Sequence, residues 1–91
     1  MKTLYMLRFK YKGIWHYKIG YASYFEYRKQ MIKKSLVESG IRAKLYVCFA
    51  ERVPFAKTAE LAIHAFLEMM GYRYKHSLPR GVSGWTEYYI F

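Results

Sequence analysis

The chain has 91 residues, of which 16 are Lys or Arg and 6 are acidic, so its formal net charge at pH 7 is +10. Hydrophobic residues make up 54% of it and aromatic residues 21%, which excludes a disordered chain and predicts one small folded domain over residues 1–91. All six acids are Glu, and Asn is absent as well. These absences exclude EF-hand calcium loops, phosphoryl-transfer sites built on Asp, and N-glycosylation.

The cysteine content and the charge pattern indicate the compartment. Cys48 lies in the apolar run 45–50 and is expected to be a small buried side chain of a strand. A single cysteine forms neither an intrachain disulfide nor a multi-cysteine zinc site. No segment reaches the roughly 18 apolar residues of a membrane helix, and Lys2, Arg8 and Lys10 interrupt any signal-peptide core. We therefore expect a protein of the reducing cytoplasm without a membrane partner.

The first 21 residues have the alternation that is typical of two strands. Thr3–Tyr11 and Ile14–Tyr21 both carry large apolar residues at every second position. Lys12 and Gly13 between them predict a tight hairpin turn.

A first helix is expected to begin at a capping box formed by Ser23 and Glu26 and to end at Gly40. The apolar stripe of this helix consists of Phe25, Ile32 and Leu36. The position that would complete the stripe is Arg28. An arginine there either packs its stem and sends its guanidinium to water or to a glutamate, or points into a cleft to hold phosphate.

Arg42–Glu51 predicts a third, largely buried strand, and Pro54 introduces a second helix that ends at Gly71. The buried stripe of this helix is expected to consist of Phe55, Ala59, Ala62, Ile63, Phe66 and Met70. Glu60 lies at the margin of that stripe, with His64 one turn further on. Such a pair is most often a solvated or hydrogen-bonded pair, and metal binding is the alternative.

The order of elements indicates the fold class. After a loop over residues 72–84, Trp85–Phe91 predicts a short aromatic strand. The pattern β-β-α-β-α with this C-terminal strand predicts an α+β fold, in which helices flank a small, mainly antiparallel three-stranded sheet. His16 and His76 are expected to be exposed or locally bonded.

Basic residues alternate with aromatic residues along the chain. Cations attract phosphates and aromatic rings stack on unpaired bases, so DNA or RNA is the expected partner, and a solvated basic surface is the alternative. A polyanion would also relieve the self-repulsion of the charge of +10. The residues expected to contact nucleic acid are Lys10, Lys12, Lys29, Lys33, Lys34, Arg73, Lys75 and Arg80.

Five short motifs occur in a characteristic order. They are Thr3, Leu4 and Tyr5; Lys18, Ile19 and Gly20; Arg28; Glu60 and His64; and Gly84, Trp85, Thr86, Glu87 and Tyr88. In this order the chain resembles the GIY-YIG nuclease superfamily, and within it the compact phage-type branch. That branch reads K-I-G for Y-I-G, carries an E-x-x-x-H helix and ends in a G-x-x-E-aromatic strand. The resemblance spans nearly the whole chain.

The resemblance implies a small endonuclease or nickase that hydrolyses DNA phosphodiester bonds with one divalent ion, Mg²⁺ or Mn²⁺. Glu60 would hold the metal and Arg28 the attacked phosphate. Tyr5 or Tyr17 would take the proton from water; because tyrosine has a pKa of about 10, it needs nearby cations such as Lys18. The supporting positions are Gly20, His64 and Glu87.

The chain also departs from the family's pattern. Lys18 replaces the second motif tyrosine, Ile32 stands where many relatives carry His or Tyr, and the asparagine common near the end of the fold is absent. Two other functions therefore stay open. One is a nucleic-acid-binding module with a weak or inactive catalytic site, and the other is a basic domain that docks an acidic protein.

Overall fold

The computed structural model describes residues 1–72 and 88–91. Its elements are β1 (Lys2–Tyr11), β2 (Ile14–Ala22), α1 (Phe25–Glu38), β3 (Tyr46–Val53), α2 (Ala56–Met69) and β4 (Tyr88–Tyr89). The strands form an antiparallel sheet in the order β3-β1-β2-β4. This confirms the predicted α+β fold, and the C-terminal strand joins the sheet beside β2. No helix in the described ranges is long and apolar enough to cross a membrane.

A tight turn joins the two central strands. Lys12 and Gly13 have φ values of 51° and 78°, and Tyr11 pairs with Ile14 across the turn. Two consecutive residues with positive φ are typical of the type I′ turn, whose twist matches that of the strands it joins. The predicted hairpin is confirmed.

The sheet separates two hydrophobic cores, because successive side chains of a strand point to opposite faces. α1 covers one face, where its Ile32 and Leu36 are fully buried. α2 covers the other face, where Leu67 packs with Ile19 and Tyr89. Each fully buried aliphatic side chain contributes about 1.5–3 kcal/mol. Side chains from the two helices can therefore meet only at the margin of the sheet.

Both helices end at a glycine, as predicted. Gly40 has φ 79°, and the Ile41 amide donates to the Leu36 carbonyl at 2.8 Å, which is the bond of a Schellman motif. Gly71, with φ 86°, ends α2 in the same way. The left-handed conformation at these two positions favours glycine because it has no Cβ.

The start of α1 differs from the prediction. The helix begins at Phe25, and the preceding Tyr24 makes no capping hydrogen bond with its side chain to the described residues. Glu26 instead pairs with Lys29 at 3.1 Å, so its carboxylate does not reach back to Ser23. The predicted capping box is therefore wrong.

The third strand is an edge strand, not a buried one. β3 pairs only with β1 among the described strands, and it begins at Tyr46 instead of Arg42. A register shift between Met6 and Leu7 marks an irregularity in the pairing of these strands. Cys48 lies opposite this irregularity and is exposed, so its predicted burial is wrong.

The predicted buried stripe of α2 is only partly correct, because Ile63 packs against the core as predicted but three of the large members are exposed. Phe55 is exposed in a left-handed conformation with φ 56°, and the helix begins at Ala56. Ala56 and Leu67 are buried, whereas Phe66 and Met70 are exposed. The inward face is thus rotated by one residue, about 100°, from the predicted face.

His16 is buried instead of exposed. It stacks on Phe9 with a centroid distance of 5.4 Å and an angle of 19° between the rings. Neither ring nitrogen has a hydrogen-bond partner among the described residues. Burial lowers the pKa of the His16 imidazole, because desolvation disfavours its charged form. His76 lies outside the described residues.

Candidate active site

A cleft of about 400 Å³ opens beside the C-terminal end of β2. Among the described residues, β4 pairs with β2 at Tyr17 and Lys18, four residues before the end of β2 at Ala22. α1 reaches this end of the strand from one face of the sheet and α2 from the other. The cleft is lined by Lys2, Tyr5, Lys18, Gly20, Tyr21, Ala22, Ser23, Arg28 and Glu60.

Four residues that the family resemblance assigns to chemistry line this cleft. They are Tyr5 from β1, Lys18 from β2, Arg28 from α1 and Glu60 from α2. Tyr17 does not line it. Because Tyr17 is next to Lys18, its side chain points to the opposite face, where its ring lies 5.0 Å from that of Phe91. The structure therefore corrects the expectation that Tyr17 could serve as the base in this cleft.

Tyr5 and Gly20 form one wall of the cleft. They are cross-strand partners, and the buried Tyr5 ring packs against Phe25 at a centroid distance of 5.3 Å. A Cβ atom at position 20 would lie 2.5 Å from the Tyr5 hydroxyl oxygen. Any larger residue at this position would displace the hydroxyl. Gly20 therefore supports the site by allowing the Tyr5 hydroxyl to approach the backbone of β2.

Lys18 places a buried cation beside this wall. The residue is only 5% exposed, and its Nζ lies 5.2 Å from the ring centroid of Tyr88, its partner on β4. The negative face of an aromatic ring stabilises a cation that has lost part of its water. Lys18 thus puts positive charge at the position where the family motif has a tyrosine.

Glu60 and His64 form a hydrogen-bonded pair on the inward face of α2. Their side chains are 16% and 14% exposed, and His64 Nε2 lies 2.9 Å from Glu60 Oε1 and 3.1 Å from the Ile19 carbonyl oxygen. Both neighbours of Nε2 accept hydrogen bonds, so Nε2 carries a proton, and Nδ1 is hydrogen-bonded to the Tyr89 hydroxyl. His64 therefore fixes the Glu60 carboxylate at the margin of the cleft.

Arg28 lies in the first turns of α1 with an exposed side chain. Among the described residues, no carboxylate lies within 4.0 Å of it. Arg28 also lines a second hollow of about 470 Å³ that shares Ala22 and Ser23 with the cleft. This hollow has Tyr24, Tyr27 and Met31 in its walls. The guanidinium thus stands between a polar cleft and a partly apolar hollow.

The cleft carries more positive than negative charge. Among the described residues, Lys2, Lys18 and Arg28 line it together with a single carboxylate, that of Glu60. This balance favours an anion with several oxygens, such as a phosphodiester. Lys2 is a cleft residue that was not predicted from the sequence, and its Nζ lies 5.2 Å from the Tyr21 ring centroid. Its position at the start of the first strand, beside the Tyr5 motif, was the available signal.

Glu60 suits one mode of metal binding and not others. Among residues 1–72 and 88–91, no three His, Cys, Asp or Glu side chains are grouped closely enough to hold a metal. Mg²⁺ usually keeps several waters and binds through one or two carboxylates together with phosphates of its ligand. A single carboxylate beside a phosphate-sized cleft fits this mode, whereas a closed cage of protein ligands is not formed by the described residues.

The residues predicted to contact nucleic acid fall into two groups. Lys10 and Lys12 lie at the β1–β2 hairpin, and the other described members lie on α1. On α1, Lys29 pairs with Glu26 at 3.1 Å, Lys34 approaches Glu38 at 3.8 Å, and Lys33 is exposed. Arg73, Lys75 and Arg80, which were also predicted to contact nucleic acid, lie outside the described ranges. Glu87, which was predicted to support the cleft, lies outside them as well.

The T5orf172 domain family matches the chain over residues 2–89, and the chain belongs to this family. It is a phage-associated domain family related to nuclease-like modules. No curated protein and no solved structure matches the chain.

Proposed function

We propose that this protein is a small metal-dependent endonuclease or nickase of the GIY-YIG type that hydrolyses phosphodiester bonds in DNA. One observation carries the proposal: Tyr5, Lys18, Arg28 and Glu60, from four different elements, line one basic cleft. Membership of a family related to nuclease-like modules supports it. The charge of +10 adds long-range attraction to a polyanion.

Each residue of the cleft has its own role in hydrolysis. Arg28 binds two oxygens of the attacked phosphate, because its planar guanidinium matches their spacing. A water oxygen attacks phosphorus, the phenolate form of Tyr5 takes a proton from that water and becomes the phenol, and the bond from phosphorus to the leaving oxygen breaks. The leaving oxygen then takes a proton from solvent. Lys18 supplies the nearby positive charge that stabilises the phenolate form of Tyr5.

Glu60 is the residue that would hold Mg²⁺ or Mn²⁺, and a bound ion supplies charge neutralisation at the phosphate and the leaving oxygen. His64 keeps the Glu60 carboxylate in position through the bond at 2.9 Å. A partner group that orients a metal-binding side chain typically contributes 10–100-fold to affinity or activity. His64 is therefore a positioning residue.

A second candidate function is binding of nucleic acid without cleavage. Three cations with one carboxylate would also serve a pure phosphate-binding site, and Lys18 stands at a motif position where the family has a tyrosine. The two functions differ in what they predict for DNA cleavage when Glu60 is replaced. Removing this carboxylate abolishes cleavage in a nuclease, whereas it leaves a pure binding module unchanged or improves its affinity.

The deciding experiment incubates supercoiled plasmid with the protein and Mg²⁺ or Mn²⁺ and compares wild type with Glu60→Ala. We expect nicked or linear DNA with wild type, none with Glu60→Ala, and an equal gel shift for both. Glu68→Ala, at an exposed glutamate on the same helix as Glu60, is the matched control and should cleave like wild type. A gel shift without nicking by wild type would favour the binding module. Binding to an acidic protein without any gel shift would favour a protein-docking domain.

A further inference from the structure

A second group of aromatic and basic side chains lies on the α2 face of the sheet, at the end nearest the β1–β2 turn. We call it the aromatic surface; it consists of Arg8, Lys10, Trp15, Lys44 and Tyr46. The register pairs Arg8 with Tyr46 on β3 and Lys10 with Trp15 on β2. The side chains therefore share a face because of strand pairing, and α2 packs further along that face, against Ile19 and its neighbours.

Cations and rings are interleaved in this surface at short distances. The Arg8 guanidinium carbon lies 4.5 Å from the Trp15 ring centroid and 5.9 Å from that of Tyr46. Lys10 Nζ is 5.8 Å from the Trp15 ring, and Lys44 Nζ is 5.3 Å from the Tyr46 ring. The two rings are in edge contact at 5.8 Å. Three cations thus surround two rings.

The surface is accessible and positively charged. Tyr46 is 41% exposed, Trp15 is half-buried, and Lys10 and Lys44 are exposed. Within the described part of the chain, no carboxylate lies within 4.0 Å of its three cations. A long contact of 3.5 Å to the Tyr17 hydroxyl raises the pKa of the Arg8 guanidinium, which stays charged. The charge is therefore left for an external anion.

We propose that the aromatic surface is a binding site for unpaired nucleotides of a single-stranded nucleic acid. Bases stack on aromatic rings and on the plane of a guanidinium, while lysines beside the rings contact phosphates. In a duplex the bases are stacked on each other, so their faces are not available to Trp15 and Tyr46. The chemistry of this surface therefore favours a single strand over a duplex.

The position of the surface separates it from the cleft. Arg8 lies three residues after Tyr5 on β1, which corresponds to about 10 Å at 3.3 Å per residue. Because their positions differ by an odd number, the side chains of Tyr5 and Arg8 point to opposite faces of the sheet, so the aromatic surface and the cleft are separate sites. The binding itself does not depend on the proposed cleavage, since no cleft residue contributes to the surface.

The test measures binding of fluorescein-labelled (dT)12 to the full chain by anisotropy in EDTA, which separates binding from any cleavage. We expect Tyr46→Ala and Trp15→Leu each to weaken (dT)12 binding by about fivefold to a hundredfold, the range found when base stacking is removed. Binding of heparin, a polyanion without bases, should stay within about twofold. Phe66→Ala, which removes an exposed ring of α2, is the matched control and should bind (dT)12 like wild type.

Each result has a defined meaning. Since Tyr46 is on an edge strand and 41% exposed, Tyr46→Ala decides the question if Trp15→Leu fails to fold. Equal losses for (dT)12 and heparin would reduce the surface to a simple basic patch and overturn the proposal, as would unchanged (dT)12 binding. Tighter binding to a poly-glutamate peptide than to (dT)12 would also overturn it, in favour of an acidic protein. Intact (dT)12 binding by an inactive Glu60→Ala variant would show that the two sites fail independently.

Discussion

The two ends of the β1–β2 ladder carry different kinds of polar group. At the cleft, Arg28 and Glu60 come from helices on opposite faces of the sheet and line the same cleft beside the C-terminal end of β2. At the turn end, Arg8 and Trp15 are brought together by strand pairing alone. A site that needs a carboxylate, a guanidinium and a hydroxyl in one place requires the whole fold, whereas a stacking surface requires only a ladder with suitable residues.

The histidines near the two ends of the ladder, His64 on α2 and His16 on β2, show the same contrast. His64, beside the cleft, has partners for both ring nitrogens: Glu60 and Ile19 at Nε2, and Tyr89 at Nδ1. His16, near the turn, has none among the described residues. An unpaired buried polar group costs about 1–3 kcal/mol. His64 is therefore held in place by its hydrogen bonds, whereas His16 is only enclosed by the surrounding side chains.

The largest expected effect is the loss of cleavage on substitution of Arg28, which should act at the cleft and leave the aromatic surface unchanged. Arg28→Lys keeps the charge but loses the planar pair of donors, so cleavage should fall by about a hundredfold or more. Affinity for (dT)12 should change little, because the aromatic surface is untouched. Plasmid nicking and anisotropy measured on the same preparation check both statements.

Arg28→Met tests the alternative role of this arginine. If Arg28 only packs its stem, the methionine should preserve stability and leave cleavage near wild type. Cleavage by Arg28→Met within a few fold of wild type would rule out the catalytic role. The exposure of Arg28 in the cleft argues for a large loss instead.

His64→Phe should have the next largest effect. Phenylalanine keeps the ring volume but removes the donor to Glu60 and the Ile19 carbonyl. We expect cleavage to fall by about 10–100-fold, with a higher Mg²⁺ concentration at half-maximal rate. Stability should fall by about 1–3 kcal/mol, because buried polar partners lose their bonds.

Tyr89→Phe is the control for the positioning role of His64. It removes only the hydroxyl at Nδ1 and leaves the bond between Nε2 and Glu60. A purely structural role for His64 would lower stability without changing the Mg²⁺ dependence. That outcome would show that His64 stabilises the fold but does not position the Glu60 carboxylate for metal binding.

Much of the fold could be predicted from the sequence because its signals are local. The alternation in the first two strands, the turn at Lys12 and Gly13 and the helix ends at Gly40 and Gly71 depend on a few neighbouring residues. Strand and helix ends of this kind follow from backbone conformation. These predictions are confirmed.

The failed predictions depend on tertiary contacts. The stripe of α2 was expected to pass through Phe66 and Met70, because apolar residues normally face a core. The structure turns Glu60 and His64 inward instead, since the Ile19 carbonyl and the Tyr89 hydroxyl give His64 partners from distant parts of the chain and His64 in turn binds Glu60. The assignment of Cys48 to a buried strand failed for a similar reason, because its strand lies at the edge of the sheet.

His16 gives a smaller, pH-dependent prediction at the turn end. Burial lowers its folded-state pKa below the unfolded value of about 6.5, so the unfolded chain binds the proton more readily. Its contribution to stability is therefore fully present above pH 6.5 and is lost as the pH falls toward the folded-state pKa. His16→Phe should remove this loss, and at pH 7.5 it should raise stability by about 1 kcal/mol by removing two unpaired nitrogens. Urea denaturation at pH 7.5 and 5.0 measures both changes, and an identical pH dependence in the variant would contradict the role of His16.

The smallest expected effect is a change in the salt dependence of binding when exposed lysines are replaced. Lysines of α1 should affect duplex binding, and Lys10 should affect (dT)12 binding. Lys33→Ala with Lys34→Ala should lower the slope of log affinity against log salt for a duplex by about 0.9 for each phosphate that the protein no longer neutralises. We expect a change nearer to one phosphate than to two, because Lys34 already approaches Glu38 at 3.8 Å. Lys10→Ala should instead lower the slope for (dT)12 by about 0.7, the single-strand value. An unchanged duplex slope in the helix variant would mean that duplex DNA does not follow α1, and a reduced (dT)12 slope in that variant would mean that one surface serves both ligands.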